Sequence, residues 1–113
     1  MEINTGLQSI TKELKDQWVA ALRSGKYEQG RGLLLKDDKF CCIGVLCDII
    51  NPTDWVYSST IGPGIYSYTR GIHYAPVEIL SLNIQTPLSI MNDEEGKSFN
   101  EIADWIEDNV IVD

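Results

Sequence analysis

Eleven residues, Phe40-Cys41-Cys42-Ile43-Gly44-Val45-Leu46-Cys47-Asp48-Ile49-Ile50, constrain this chain more than any others. They are the longest nearly unbroken apolar run in its 113 residues. Ile43, Leu46, Cys47 and Ile50 recur at i, i+3, i+4 and i+7, which is one face of a helix. Phe40, Val45 and Ile49 cover much of the remaining surface. A short helix that is apolar nearly all round belongs in an interior, so the other segments must pack around it. Asp48 interrupts the run. A carboxylate near a core needs a partner or water, and the sequence offers a backbone N–H or a basic residue such as Arg23 or Arg31.

The flanking segments predict a single compact α+β domain over residues 1–113: an N-terminal helix, a small antiparallel β-sheet, the buried central helix and a C-terminal helix. The first helix is expected from about Thr11 to Ser24. Ser9 or Thr11 is its cap, Ile10, Leu14, Trp18, Ala21 and Leu22 its apolar stripe, and Gly25 its left-handed stop. Leu33-Leu34-Leu35 and Lys39-Phe40-Cys41, on either side of Lys36-Asp37-Asp38, read as a hairpin. Asn51-Pro52 ends the central helix. Val56-Tyr57-Ser58 and Ile65-Tyr66-Ser67-Tyr68 read as two strands joined through Gly62-Pro63-Gly64. Pro76 is placed to open a short helix to Leu82, Pro87–Met91 reads as a strand, and Asn92–Gly96 as a polar turn. Ser98-Phe99-Asn100-Glu101 is a capping box, and Phe99, Ile102, Ala103, Ile106 and Val110 continue it as a helical stripe to about Asn109.

Composition narrows the function. Nine Lys and Arg against seventeen Asp and Glu give a net charge of −8, which argues against direct nucleic-acid binding. The charge is uneven. Residues 1–39 hold seven of the nine basic residues, whereas residues 76–113 hold nine acidic residues and only Lys97. No apolar run approaches a membrane span, and the N-terminus lacks a signal-peptide pattern, so a soluble, cytoplasmic protein is expected. Three cysteines, two of them adjacent, do not make a disulfide framework.

Several chemistries can be weighed on residue type and spacing. Cys41 or Cys42 at a helix N-terminus would have a lowered pKa, and His73, the one histidine, could act as base in a thiol hydrolase. Against that, cysteines on an apolar stripe are usually core. Cys41-Cys42-x4-Cys47 lacks a zinc-site spacing, and Asp37-Asp38 and Asp93-Glu94-Glu95 lack the alternation of a calcium loop, so no metal and no cofactor are expected. The glycine-rich stretch Gly25–Gly32 is not a phosphate loop of the Walker type, yet its glycines and cations suit an anion. With the aromatic stretch that follows, it assembles a candidate binding set: Lys26, Tyr27, Gln29 and Arg31, with Tyr66, Tyr68, Arg70 and His73. Phosphates would take the cations and a base would stack on tyrosine. The rival is a protein-binding inhibitor that docks through the acidic helix face of Asp104, Glu107 and Asp108. A sequestered ligand would also allow a homo-oligomer, because pockets often form between subunits.

Four segments carry a resemblance: Trp18 to Gln29 (WVAALRSGKYEQ), Phe40 to Asp48 (FCCIGVLCD), Met91-Asn92-Asp93, and Ser98 to Ile106 (SFNEIADWI). In this order the chain resembles a family of small, largely uncharacterised proteins encoded by phages and prophages. The resemblance covers both ends and the centre, and little of residues 51–75. It implies an accessory protein made inside a bacterium that counters host defence, by sequestering a nucleotide-type immune signal or by blocking a defence protein. It brings no catalytic residues with it.

Overall fold

The computed structural model describes residues 10–58, 61–69 and 71–110. The apolar run folds as helix α2, Cys42–Ile50, and Cys42, Ile43, Val45, Leu46 and Cys47 are fully buried. Its N-cap is a thiol, the Cys41 Sγ accepting the Gly44 N–H at 3.4 Å. Helix α1, Lys12–Arg23, lies against α2 on one side and helix α3, Leu82–Ser89, on another. That enclosure is why an all-round apolar helix is stable here. Gly44 permits the closest approach: a Cβ on it would stand 2.1 Å from the Leu34 carbonyl oxygen.

The sheet has the strands β1 (Glu28–Gln29), β2 (Leu35–Lys36), β3 (Lys39–Phe40), β4 (Trp55–Tyr57) and β5 (Ile65–Tyr68), in the order β1-β3-β2-β5-β4. With four α-helices and this mixed sheet among the described residues, the fold is α+β. The predicted hairpin is β2–β3. Its two turn residues, Asp37 and Asp38, both have positive φ (53° and 64°), the geometry of a two-residue hairpin turn. The β4–β5 pair also forms where expected. The sheet is antiparallel except that β1 pairs in parallel with β3. Nothing in a two-residue strand's sequence announces such a pairing.

Helix α1 starts on Thr11, whose hydroxyl accepts the Leu14 N–H, and stops before Gly25 at φ 79°. Helix α4, Phe99–Asn109, carries the complete capping box of Ser98 and Glu101. Between α2 and α4 the expectations need correction. Pro76 opens only a turn, its carbonyl accepting from Ile79 and Leu80, and Val77 is exposed. The helix begins instead at Leu82 and passes through Pro87, so no strand forms over Pro87–Met91. Because Pro87 donates no N–H, its place in the ladder stays empty, and the helix runs on into a wider π-helical turn, Ile90–Glu94. Asn92, expected in a solvated polar turn, is fully buried on that π-helical turn.

Candidate functional site

Asn92 organises one side of the molecule. Its Oδ1 accepts from Gln29 Nε2 at 2.9 Å and from the Cys42 backbone at 3.3 Å. Its Nδ2 donates to the Gly30 carbonyl at 2.9 Å and to Asp93 Oδ1 at 2.7 Å. Asp93 Oδ1 also receives the Gly32 N–H at 2.8 Å. One buried amide with all four sites used thereby ties β1 and the glycine-rich loop to the start of α2. Gln29 is fixed as well, with a second bond to the Lys97 carbonyl at 2.9 Å.

Tyr27 stands between α1 and β1. Its ring meets Phe40 edge-on, with centroids 4.9 Å apart, and its hydroxyl donates to Asp48 Oδ2 at 2.7 Å. Trp55 Nε1 donates to the other oxygen, Oδ1, at 3.0 Å. Asp48 is therefore held by two neutral aromatic donors, and not by Arg23, Arg31 or a backbone N–H as the sequence led us to expect. Arg23 is used elsewhere: it pairs with Asp104 and, at 3.0 Å, with Glu107 on α4. Burial first, and then the bond to Asp48, push the Tyr27 phenol up to about 12.

Two open grooves adjoin at Tyr27. The larger, ≈ 370 Å³, has Ala20 and Ala21 as an apolar floor and Gln17, Ser24, Lys26 and Tyr27 around it. The smaller, ≈ 240 Å³, is bounded by Arg23, Tyr27 and Gln29 and by Ser98, Phe99 and Asn100 at the start of α4. Among the described residues no carboxylate lines either groove, although the chain carries seventeen.

The candidate residues divide. Lys26, Tyr27 and Gln29 gather at these grooves. Arg31 is exposed on the glycine-rich loop, next to Gly32, whose carbonyl contacts His73 Nδ1 at 2.6 Å. Tyr66 packs against Tyr57 on the sheet, centroids 5.4 Å apart. Tyr68 is only 1% exposed and packs against Trp55, so it is core and presents no stacking face. Arg70 lies outside the described residues.

The cysteines are core, as their place on the apolar stripe implied. Cys41, Cys42 and Cys47 are all buried. Burial pushes Cys41 up to about 12 and raises the other two strongly, so desolvation outweighs the helix N-terminus. Cys42 Sγ is turned to the Leu88 carbonyl at 3.8 Å. Among the described residues no group of His, Cys, Asp or Glu could hold a metal ion. Two of the three carboxylates assigned to an acidic docking face, Asp104 and Glu107, are engaged by Arg23 within the fold. No helix of the described residues is long and apolar enough to cross a membrane.

Sequence reasoning missed Asn92 and Gln85. Gln85 is likewise fully buried, bonded through Oε1 to the Ala75 N–H and through Nε2 to the Ala75 and Leu80 carbonyls. The signal for Asn92 was its place in the Met91-Asn92-Asp93 segment. Gln85 gave no signal.

A family model matches residues 10–77, more than half of the chain, and is described as a domain of unknown function (DUF8296). No curated protein and no solved structure matches. The larger groove falls wholly within the matched residues, whereas the smaller takes one wall from α4 beyond them.

Proposed function

The chain belongs to that family, and on this footing we propose that it binds and sequesters a small anionic, nucleotide-type ligand in the paired grooves around Tyr27. The observation that carries this reading is that, among the described residues, no carboxylate lines either groove in so acidic a chain, with Lys26 on the rim of the larger one; Arg23, beside the smaller one, is already paired with Asp104 and Glu107. In this reading a planar base would lie along Ala20 and Ala21 beside Tyr27, with its phosphate toward Lys26. Ser98 and Asn100 supply hydrogen-bonding groups for a sugar or second phosphate in the smaller groove, where both Gln29 side-chain N–H groups are already donated to Asn92 and the Lys97 carbonyl. Sequestration needs no reacting side chain, which suits a protein whose thiols are buried and protonated. Within the phage resemblance, the use of such a protein is counter-defence: it holds a host immune signal away from its receptor.

A thermal-shift screen against cyclic dinucleotides, cyclic ADP-ribose isomers and ADP-ribose conjugates tests the reading. A ligand at about 100 times its Kd stabilises by roughly 2.7 kcal/mol, a shift that is easily seen. Lys26 is exposed, so Lys26→Glu should abolish the shift while leaving the melting temperature of the free protein unchanged. If no member of the panel shifts the protein, or if Lys26→Glu responds as the wild type does, the reading is wrong.

A further inference from the structure

The sheet ends in an unusual edge. Strand β4 is the last in the order, and among the described residues no strand pairs with its outer side. Ser58 donates to the Ile65 carbonyl at 2.8 Å, so Ser58 and Ile65 are a hydrogen-bonded pair. Antiparallel ladders alternate, and the register Trp55↔Tyr68, Val56↔Ser67, Tyr57↔Tyr66 then turns the Val56 backbone inward to β5. The N–H and C=O groups of Trp55 and Tyr57 point outward. Exposed edges are commonly protected by charge, proline, a bulge or shortness; β4, three residues long, has only the last of these. Three large apolar residues are instead exposed at or beside it: Val56 at 60%, Tyr57 at 50% and Ile61 at 52%.

We propose that β4 is a self-association surface whose partner is a second copy of this chain, paired antiparallel about a two-fold axis through Val56. The register follows from the backbone. Outward groups at 55 and 57 are matched when Trp55 of one copy lies opposite Tyr57 of the other, which exchanges both bonds at each of two positions. A two-fold interface must be self-complementary in this way. The same register sets two Trp–Tyr pairs across the junction on one face, an arrangement that stabilises sheets. It also keeps the charged residue next to β4 from adding to the repulsion between two chains of net charge −8. Asp54, the one charged neighbour in sequence, falls opposite Ser58 of the other copy and not opposite its own equivalent. Other registers either leave the outward groups unmatched or move the aromatic residues out of opposition. The two five-stranded sheets become one continuous sheet. The surface does not depend on the Tyr27 grooves.

Because Val56 faces its own equivalent across the axis, one charge there meets itself. Sedimentation over a concentration series should show the wild type passing from monomer to dimer. Val56→Glu and Val56→Lys should each stay monomeric, with helical circular dichroism unchanged and melting equal to that of the wild type at concentrations where it too is monomeric, because Val56 is exposed. An equimolar mixture of the two variants should restore dimers, which general destabilisation of the fold cannot do. A wild type that is monomeric throughout the series, dimers unaffected by either variant, or a mixture that stays monomeric would each overturn the proposal.

Discussion

At the scale of single residues, two kinds of buried group hold the account together. Asn92 uses its whole hydrogen-bonding capacity to fix Gln29, Gly30 and the start of α2, and so fixes one wall of the smaller groove. The cysteines do the opposite work: they fill space and resist ionisation. Their pKa values are raised in the fold from an ordinary 9.0, Cys41 to about 12. Tyr27 is raised from 10.0 to about 12. Between about pH 9 and 12 the unfolded chain has therefore released protons that the native chain still holds. Stability is full below this window and falls as pH rises through it. Urea unfolding midpoints should drop from about pH 8 to about pH 10.5, and Cys42→Ala should lessen the slope even though it lowers the absolute midpoint. A slope identical in Cys42→Ala and wild type would show that this thiol is not a source of the alkaline sensitivity.

Among the elements, α2 is decisive because it touches the first strand hairpin and two helices at once. Its tightest point is Gly44 against the Leu34 carbonyl, and neither backbone can yield without moving the hairpin. Gly44→Ala should cost about 3 kcal/mol, measured by chemical denaturation, whereas the same change on an exposed helix would stabilise it. An effect below about 1 kcal/mol would mean that the contact is looser than described. Elements marked by local chemistry were legible in the sequence. Thr11 and Ser98 as caps, Gly25 as a stop, Pro52 as a terminator and the apolar period of α2 all act within a few residues of themselves. What was not legible depended on partners far along the chain. Pro87 looked like a break because its cost is local, while the packing that keeps α3 helical around Leu88 and Ile84 is tertiary. The candidate site divided for the same reason. Lys26, Tyr27 and Gln29 are neighbours in sequence and remain together, but Tyr66, Tyr68 and His73 were grouped with them by composition alone. Composition does not say which side of a strand faces the core, and Tyr68 faces it.

Over the whole molecule, the charge asymmetry of the sequence is resolved by folding. The more basic N-terminal part and the acidic C-terminal part meet where α1 packs on α4. There Arg23 pairs with Asp104 and Glu107, and Lys15 caps the end of α4 by donating to the Glu107 and Val110 carbonyls. Among the described residues no carboxylate lines either groove, although Asp104 and Glu107 reach Arg23 beside the smaller one and Asp48 holds the Tyr27 hydroxyl. The proposed anionic, nucleotide-type ligand would be held at this place. This is tested most directly by titrating the ligand that stabilises the protein into a ¹⁵N-labelled sample and following the backbone amides by NMR. The account predicts that the perturbed amides cluster at residues 20–29 and 98–100, with β4 and β5 unmoved. Saturable binding whose perturbed amides lie instead around Arg31, Tyr66 and His73 would contradict it.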